Sequence, residues 1–214
     1  MKFWVSLSLL FIYSNLFASQ ILKDLNEAEV KSLKEKGILI YFKPTQSKYN
    51  QIVSYGILPT SAQNAAAIFA NGNRQNEYVP NLINSKINHL SFMKTEVLLE
   101  LELPFPLDTE TFSLLYQYEI SESLFKGSWK LGEHQRMKFF EGYAILEKFE
   151  NDQSIFKYVN FIDPGITLAT KDKVNQDMKN MVIAYRNEVI KTSKNQEKLK
   201  KDFSSFSDNG ENVV

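Results

Sequence analysis

The sequence predicts an α+β fold, in which a curved antiparallel sheet of about seven strands wraps around a long C-terminal helix. Residues 171–191 repeat apolar side chains at helical spacing, and lysines and acids fill the opposite face. The middle of the chain alternates apolar and polar residues in short runs joined by short connections, which is typical of antiparallel strands. A single long helix after a sheet closes either a solid core or a pocket, and that difference decides the function.

Residues 1–18 predict a signal peptide. Lys2 supplies the positive start, residues 3–13 form an apolar run, and Ala18 is a small residue suited to a signal peptidase. The run is shorter than the roughly 20 residues that span a bilayer, although a retained membrane anchor is the alternative. We therefore expect an exported protein, either periplasmic or secreted. The absence of Cys, and hence of disulfides, fits a bacterial periplasm.

The first part of the mature chain predicts two helices and two strands. A short helix capped by Asp24 or Asn26 ends at Gly37. Strands are predicted over 38–42 and 51–58, because both runs are rich in β-branched and aromatic residues. Residues 59–61 then open a helix that ends near 71, followed by a short helical or turn segment over 75–79.

The rest of the domain predicts strands and then the long helix. The strands are expected over 82–92, 95–103, 110–119, 124–131, 136–148 and 153–162. Beyond residue 191 the periodicity fades and Ser, Asn, Lys and Asp dominate, so residues 192–214 are predicted to be a disordered polar tail. The predicted organisation is a signal peptide (1–18), one domain (19–191) and this tail.

Composition excludes several classes of function. Lysine plus arginine and aspartate plus glutamate each number 25, so no basic footprint for nucleic acid is present. With two His, no Cys and no HExxH or GxSxG motif, the sequence predicts no metal, no cofactor and no hydrolase triad. We expect a monomer that contacts membranes only transiently.

Several motifs follow one another in an order that matches a known superfamily. They are Tyr78 and Pro80 before the strand at 82–85, the LPFPL junction at 103–107, Trp129, and the Asp163-Pro164-Gly165 turn before the last helix. In this order they resemble the lipid-transfer START domains and the broader START-like (SRPBCC) superfamily, over residues 24–191. One departure lies at 108–111, where many members carry Arg-Asp and this chain has no Arg. The resemblance implies a helix-grip fold with a cavity for a hydrophobic small molecule, such as a lipid, bound without covalent chemistry.

The candidate ligand-binding residues follow from this interpretation. Met and aromatic side chains suit an adaptable apolar pocket, and each of them also suits a plain core. The predicted wall residues are Leu99, Leu101, Leu114, Tyr116, Trp129, Phe139, Tyr143 and Tyr158, and the predicted roof residues are Met178, Met181 and Tyr185. Glu141, placed among apolar residues, is the candidate polar anchor, with an exposed position as its alternative.

Two other functions remain open at this stage. A cyclase or aromatase of the same superfamily would use Glu141, Tyr143 or Tyr116 to polarise a substrate carbonyl, and Glu141 would then face the cavity. A binding module would fill its cavity with its own side chains and recognise a protein partner.

Overall fold

The computed structural model describes residues 19–207, apart from residues 92, 104 and 122. The predicted signal peptide (1–18) and the last residues of the predicted tail (208–214) lie outside the described residues. A 3-10 turn at Ile21–Asp24 opens the described chain, and a second 3-10 segment spans Gly72–Glu77.

In the described part of the chain, an eight-stranded sheet with only antiparallel neighbours forms the frame, with one strand for each of the eight predicted ranges. The strands are β1 (Ile38–Lys43), β2 (Gln51–Leu58), β3 (Leu82–Ser91), β4 (Lys94–Glu102), β5 (Thr109–Ile120), β6 (Leu124–His134), β7 (Phe139–Lys148) and β8 (Ser154–Asp163). Their order is β1-β2-β8-β7-β6-β5-β4-β3, so β1 and β3 are the edges. The returning β8 beside β2 brings the C-terminal helix back across the middle of the sheet.

Within residues 19–207, four α-helices accompany the sheet: α1 (Glu27–Lys36), α2 (Ala62–Ala70), α3 (Lys171–Thr192) and α4 (Gln196–Ser207). Asn26 caps α1 in a capping box with Glu29, and Gly37 ends α1 with a φ of 74°, a conformation that favours glycine. Ser61 and Thr170 cap α2 and α3 through their hydroxyls. These three N-terminal caps fix where α1, α2 and α3 begin.

Two apolar clusters cover the two faces of the sheet. The larger lies on the concave face, where α2 and the inner stripe of α3 (Val174, Met178, Val182, Tyr185 and Val189) join the inward side chains of the strands. The smaller lies on the convex face under α1 and the first 3-10 turn, around Leu33, Val53 and Val159. Alternation along β1, β2, β7 and β8 therefore sends one set of residues to each cluster.

The structure corrects the prediction of a disordered tail, because residues 196–207 form α4. Leu199 and Asp202 of α4 are buried, and α4 packs on α2 and α3. The reason is an ion cluster that joins the second 3-10 segment, α3 and α4. Arg74, Glu188 and Asp202 are buried at its centre, and the more exposed Glu77 and Lys198 extend it. Polar composition suggested disorder, but these charges find partners inside the fold.

Candidate functional site: the cavity between the sheet and helix α3

The concave face and α3 enclose a cavity of about 750 Å³. Helix α3 contributes Val174, Met178, Val182 and Tyr185 of its inner stripe, while β3 to β8 contribute inward-pointing apolar and aromatic residues. The strand residues on the wall are Leu82, Leu99, Leu101, Phe112, Leu114, Tyr116, Trp129, Phe140, Phe156, Tyr158 and Ile162. This volume lies within the range of about 300–1,000 Å³ that is usual for small-molecule sites. The interior of the protein is therefore not filled by its own side chains.

One end of the cavity, the mouth, is formed by the connections β4–β5 (103–108), β6–β7 (135–138) and β8–α3 (164–170). Phe105 and Leu168 lie at the tips of two of these connections and are 97% and 74% exposed. Gly165 has a φ of 66°, and a Cβ there would lie 1.9 Å from the carbonyl oxygen of Arg136. The β8–α3 connection therefore passes directly against the β6–β7 connection.

Glu110 holds the β6–β7 connection in place at the mouth. It is buried, accepts hydrogen bonds from the backbone N–H groups of Arg136 (2.7 Å) and Met137 (3.1 Å), and pairs with the Arg136 guanidinium at 3.3 Å. Met137 consequently faces the cavity. The stretch 108–111 lacks the Arg expected from the resemblance, but Arg136 supplies a cation from the neighbouring strand connection.

The other end of the cavity, the deep end, is an aromatic floor. Tyr116 lies seven residues into β5 and Tyr185 lies fourteen residues into α3, counted from the end of each element at the mouth. Both residues are therefore about 20 Å from the mouth. The Phe69 ring of α2 lies between them, 6.4 Å from Tyr116 and 5.6 Å from Tyr185 by ring centroids. Trp129 continues the floor, 5.2 Å from Tyr158. These contacts close the cavity on the side of α2.

Polar groups at the deep end fall into two kinds. The Tyr185 hydroxyl donates to the carbonyl oxygen of Ala65 at 2.9 Å, and the Trp129 indole donates to Asn160 Oδ1 at 3.1 Å. These two groups are satisfied by the protein. The hydroxyls of Tyr78, Tyr116 and Tyr158 belong to residues that line the cavity, and among the described residues they have weaker partners or none.

Burial keeps these hydroxyls protonated. It raises the pKa of Tyr116 to about 12, although a hydrogen bond from the Gln75 side chain works against the rise. Burial also raises the pKa values of Tyr78 and Tyr158, and the nearby Tyr116 adds to the rise in each. At neutral pH all three are therefore uncharged hydrogen-bonding groups.

Most of the predicted site residues lie on the cavity wall. The structure brings together Leu99, Leu101, Leu114, Tyr116, Trp129, Tyr158, Met178, Met181 and Tyr185. Their common wall follows from the alternation of the strands and the helical spacing of α3, which the sequence shows directly. Whether each residue contacts a ligand stays a prediction.

Phe139, Glu141 and Tyr143 require a correction, because none of them lines the cavity. In β7 the residues that turn toward the concave face are Phe140 and Ala144, so their odd-numbered neighbours turn away. Glu141 is exposed, and Lys157 Nζ lies 5.7 Å from the centroid of the Tyr143 ring. The Phe139 ring packs on the Phe161 ring with their centroids 4.9 Å apart. The polar anchor predicted for the cavity, and with it the best candidate acid of a cyclase, therefore lies outside the cavity.

Sequence reasoning also missed several wall residues. Phe156 shares the alternation of β8 with the predicted Tyr158. Phe140 follows from the alternation of β7 once the inward-facing residues of that strand are known. Phe69, Gln75 and Tyr78 come from α2 and the segment after it, where no local pattern indicates a cavity. The mouth residues Phe105 and Leu168 lie in loops, and only the fold brings these loops together.

Within the described part of the chain, no group of three or more His, Cys, Asp or Glu is placed to hold a metal ion. No helix in that part is long and apolar enough to cross a membrane. His134, the last residue of β6, is exposed, with Nδ1 2.9 Å from the carbonyl oxygen of Gly132.

At the level of sequence, no family model and no curated protein matches the chain. The similarity to known proteins lies in the fold. A STAR-related lipid transfer protein from Xanthomonas axonopodis aligns with a TM-score of 0.63 and 14% identity, over 72% of this chain and 94% of that chain.

Human proteins align in the same way. Human STARD10 gives a TM-score of 0.60 at 12% identity, covering 85% of this chain and 88% of that chain. Human StAR-related lipid transfer protein 5 gives 0.57 at 11% identity, covering 81% and 98%. The chain therefore has the START-like helix-grip fold, which confirms the predicted fold class and the resemblance on which it was based.

Proposed function

We propose that this is an exported carrier that binds a hydrophobic small molecule, in the first place a lipid, inside the cavity and without covalent chemistry. The observation that carries the proposal is the cavity of about 750 Å³ under α3, with its apolar and aromatic wall. The fold is shared with proteins described as lipid transfer proteins, which supports the same class of ligand. Export rests on the sequence of residues 1–18.

The driving force for binding is the transfer of apolar surface out of water. Each buried methylene contributes about 0.8 kcal/mol, so a chain of several methylenes can leave a membrane for this cavity without any reaction. The wall is adaptable because Met137, Met178 and Met181 lie on it. A carrier of this kind needs no catalytic group.

Access requires movement at the mouth. The C-terminal half of α3 is held by the Tyr185–Ala65 hydrogen bond and by the ion pair between Glu188 and Arg74. The N-terminal half carries Val174 and Met178, whose side chains face the cavity. We propose that the β4–β5 and β8–α3 connections, together with the first turns of α3, open to admit the ligand.

The same mouth supports a transient contact with a membrane. The exposed side chains of Phe105 and Leu168 stand on either side of the opening, where insertion into a bilayer would place the cavity next to its ligands. A lipid could then pass between bilayer and cavity with little exposure to water.

The experiment is extraction of the purified protein with organic solvent, followed by mass spectrometry of the extract. We expect a lipid-soluble molecule in stoichiometric amount, and a rise in Tm when the emptied protein meets that molecule. A matched control is Val182→Trp, because Val182 lines the cavity and the larger ring would occupy it. An extract without any such molecule, together with no change in Tm across a lipid panel, would contradict the proposal.

A further inference from the structure

The charges on the cavity wall are confined to its mouth. Among the described residues that line the cavity, the ionisable acids and bases are Glu102, Lys173 and Asp177. Glu102 ends β4 beside the β4–β5 connection, and Lys173 lies in the first turn of α3, where it forms an ion pair with Asp177. The deep end therefore offers no cation to a carboxylate or phosphate and no anion to an amine.

The deep end nevertheless has hydrogen-bonding capacity. The Tyr78 hydroxyl has no hydrogen-bond partner within the described part of the chain. In that part of the chain the Tyr158 hydroxyl has only the sulfur of Met181, at 4.0 Å, and the Gln75 side chain is near enough to the Tyr116 hydroxyl to oppose the rise in the Tyr116 pKa. All four of these polar side chains are on residues that line the cavity. These groups face the cavity, so an apolar ligand end that displaces water from them would leave them without partners, which is costly, and a ligand that supplies partners gains relative to one that does not.

We propose that Gln75, Tyr78, Tyr116 and Tyr158 form a subsite for one uncharged polar group, a hydroxyl or a carbonyl, at the buried end of the ligand. A tyrosine hydroxyl can both donate and accept a hydrogen bond, and the Gln75 amide can do the same, so either group finds a partner. An ionised head at that depth would lose its hydration without a counter-charge, which is strongly unfavourable. The subsite thus selects neutral, mainly apolar molecules that enter with their polar end first, and it rests on the proposed carrier function.

Displacement of the neutral fluorophore Nile red tests the subsite. The probes are 1-dodecanol, dodecanoate and dodecane, which share one saturated chain and differ at one end. At mildly alkaline pH we expect dodecanol to displace Nile red at a concentration at least about tenfold below that of dodecanoate, because only the latter buries a charge. We also expect dodecanol to bind about two- to tenfold more tightly than dodecane, the value of a net hydrogen bond.

Variants locate this preference in the named residues. Tyr78→Phe removes a hydroxyl without a protein partner in the described part of the chain, so folding should be retained and the advantage of dodecanol over dodecane should fall by about half. Tyr116→Phe should reduce it further. Tyr143→Phe, on the exposed face of β7, is the matched control and should leave all three probes unchanged.

The outcomes separate this proposal from the carrier function itself. Equal displacement by all three probes, or an unchanged dodecanol preference in Tyr78→Phe and Tyr116→Phe, would overturn the subsite while the carrier function stands. Failure of Nile red and of every probe to bind would overturn both.

Discussion

The hydroxyl of Tyr185 in α3 donates a 2.9 Å hydrogen bond to the carbonyl oxygen of Ala65 in α2. This bond joins the long helix to α2, which lies between β2 and β3 in the chain. It lies at the deep end of the cavity, next to the contact between the rings of Phe69 and Tyr185. The two helices are thereby fixed to each other where the cavity closes, whereas at the mouth the carbonyl oxygen of Ala169 accepts hydrogen bonds from Lys48 Nζ (2.7 Å) and the Tyr49 hydroxyl (3.1 Å).

Tyr185→Phe should therefore destabilise the protein modestly. It removes one hydrogen bond and leaves the ring contacts in place, so the free energy of unfolding should fall by about 0.5–1.5 kcal/mol. Urea denaturation measures the change, with Tyr143→Phe as the exposed control. An unaltered unfolding midpoint for Tyr185→Phe would show that the bond does not hold the helices together.

Arg74→Met should be far more damaging. Asp202 is 0% exposed, and the substitution leaves its carboxylate and that of Glu188 without the guanidinium that they share. Removing one partner of a buried ion pair costs about 3–5 kcal/mol. The surface pair Lys34–Glu150 is the control, because Lys34→Met should cost no more than about 1 kcal/mol. Similar losses for the two variants would contradict the structural role of the ion cluster.

The same cluster predicts the response to acid. Hydrogen bonds from Lys198 and the charge of Arg74 hold the pKa values of Glu188 and Glu77 below the ordinary 4.5, against the opposing effect of burial. Groups with a lowered folded pKa stabilise the protein above the ordinary value, and this contribution is lost as pH falls through the folded pKa. Unfolding midpoints in urea should therefore drop as pH falls below about 4.5, and Glu188→Gln should show a shallower drop. An equal pH slope for the variant and the parent would exclude Glu188 as a cause.

Phe105→Asp combined with Leu168→Asp should weaken contact with membranes. Both side chains are largely exposed, so unfolding should be unaffected, whereas each apolar side chain that enters a bilayer contributes about 1.5–3 kcal/mol. Vesicle co-sedimentation and lipid transfer between vesicles should both fall at least tenfold. Ile83→Asp, on the edge strand β3, is the matched control. If Ile83→Asp reduced transfer as much, the mouth would not be the docking surface.

The order of the strands and the long helix could be predicted because their periodicity is local. Alternation in β4 and β5 and helical spacing in α3 each show in a single window of sequence, and together they give most of the wall. The parity error at β7 arose because Phe139 and Phe140 are both aromatic, so that the run itself does not show which of them faces inward. Only the pairing of β7 with β6 and β8 settles that question.

The remainder depends on contacts between distant parts of the chain. Helix α4 looked like a solvated tail because Asp202 and Lys198 are polar, and their partners Arg74 and Glu77 lie more than a hundred positions earlier. Gln75 and Tyr78 reach the cavity because the neighbouring Arg74 is held by its ion pairs with Glu188 and Asp202. Long-range pairing of this kind leaves no periodic signal in the sequence.

The carrier function depends most on the hollow interior of the protein. Titration of the parent protein and of Val182→Trp with Nile red tests that interior directly. We predict saturable binding at one site per chain in the parent. In Val182→Trp we predict loss of binding without loss of stability, because the ring enters space that is empty rather than occupied. A parent protein that does not bind the dye, or a Val182→Trp variant destabilised by about 1–3 kcal/mol as expected for overpacking a solid core, would contradict the account.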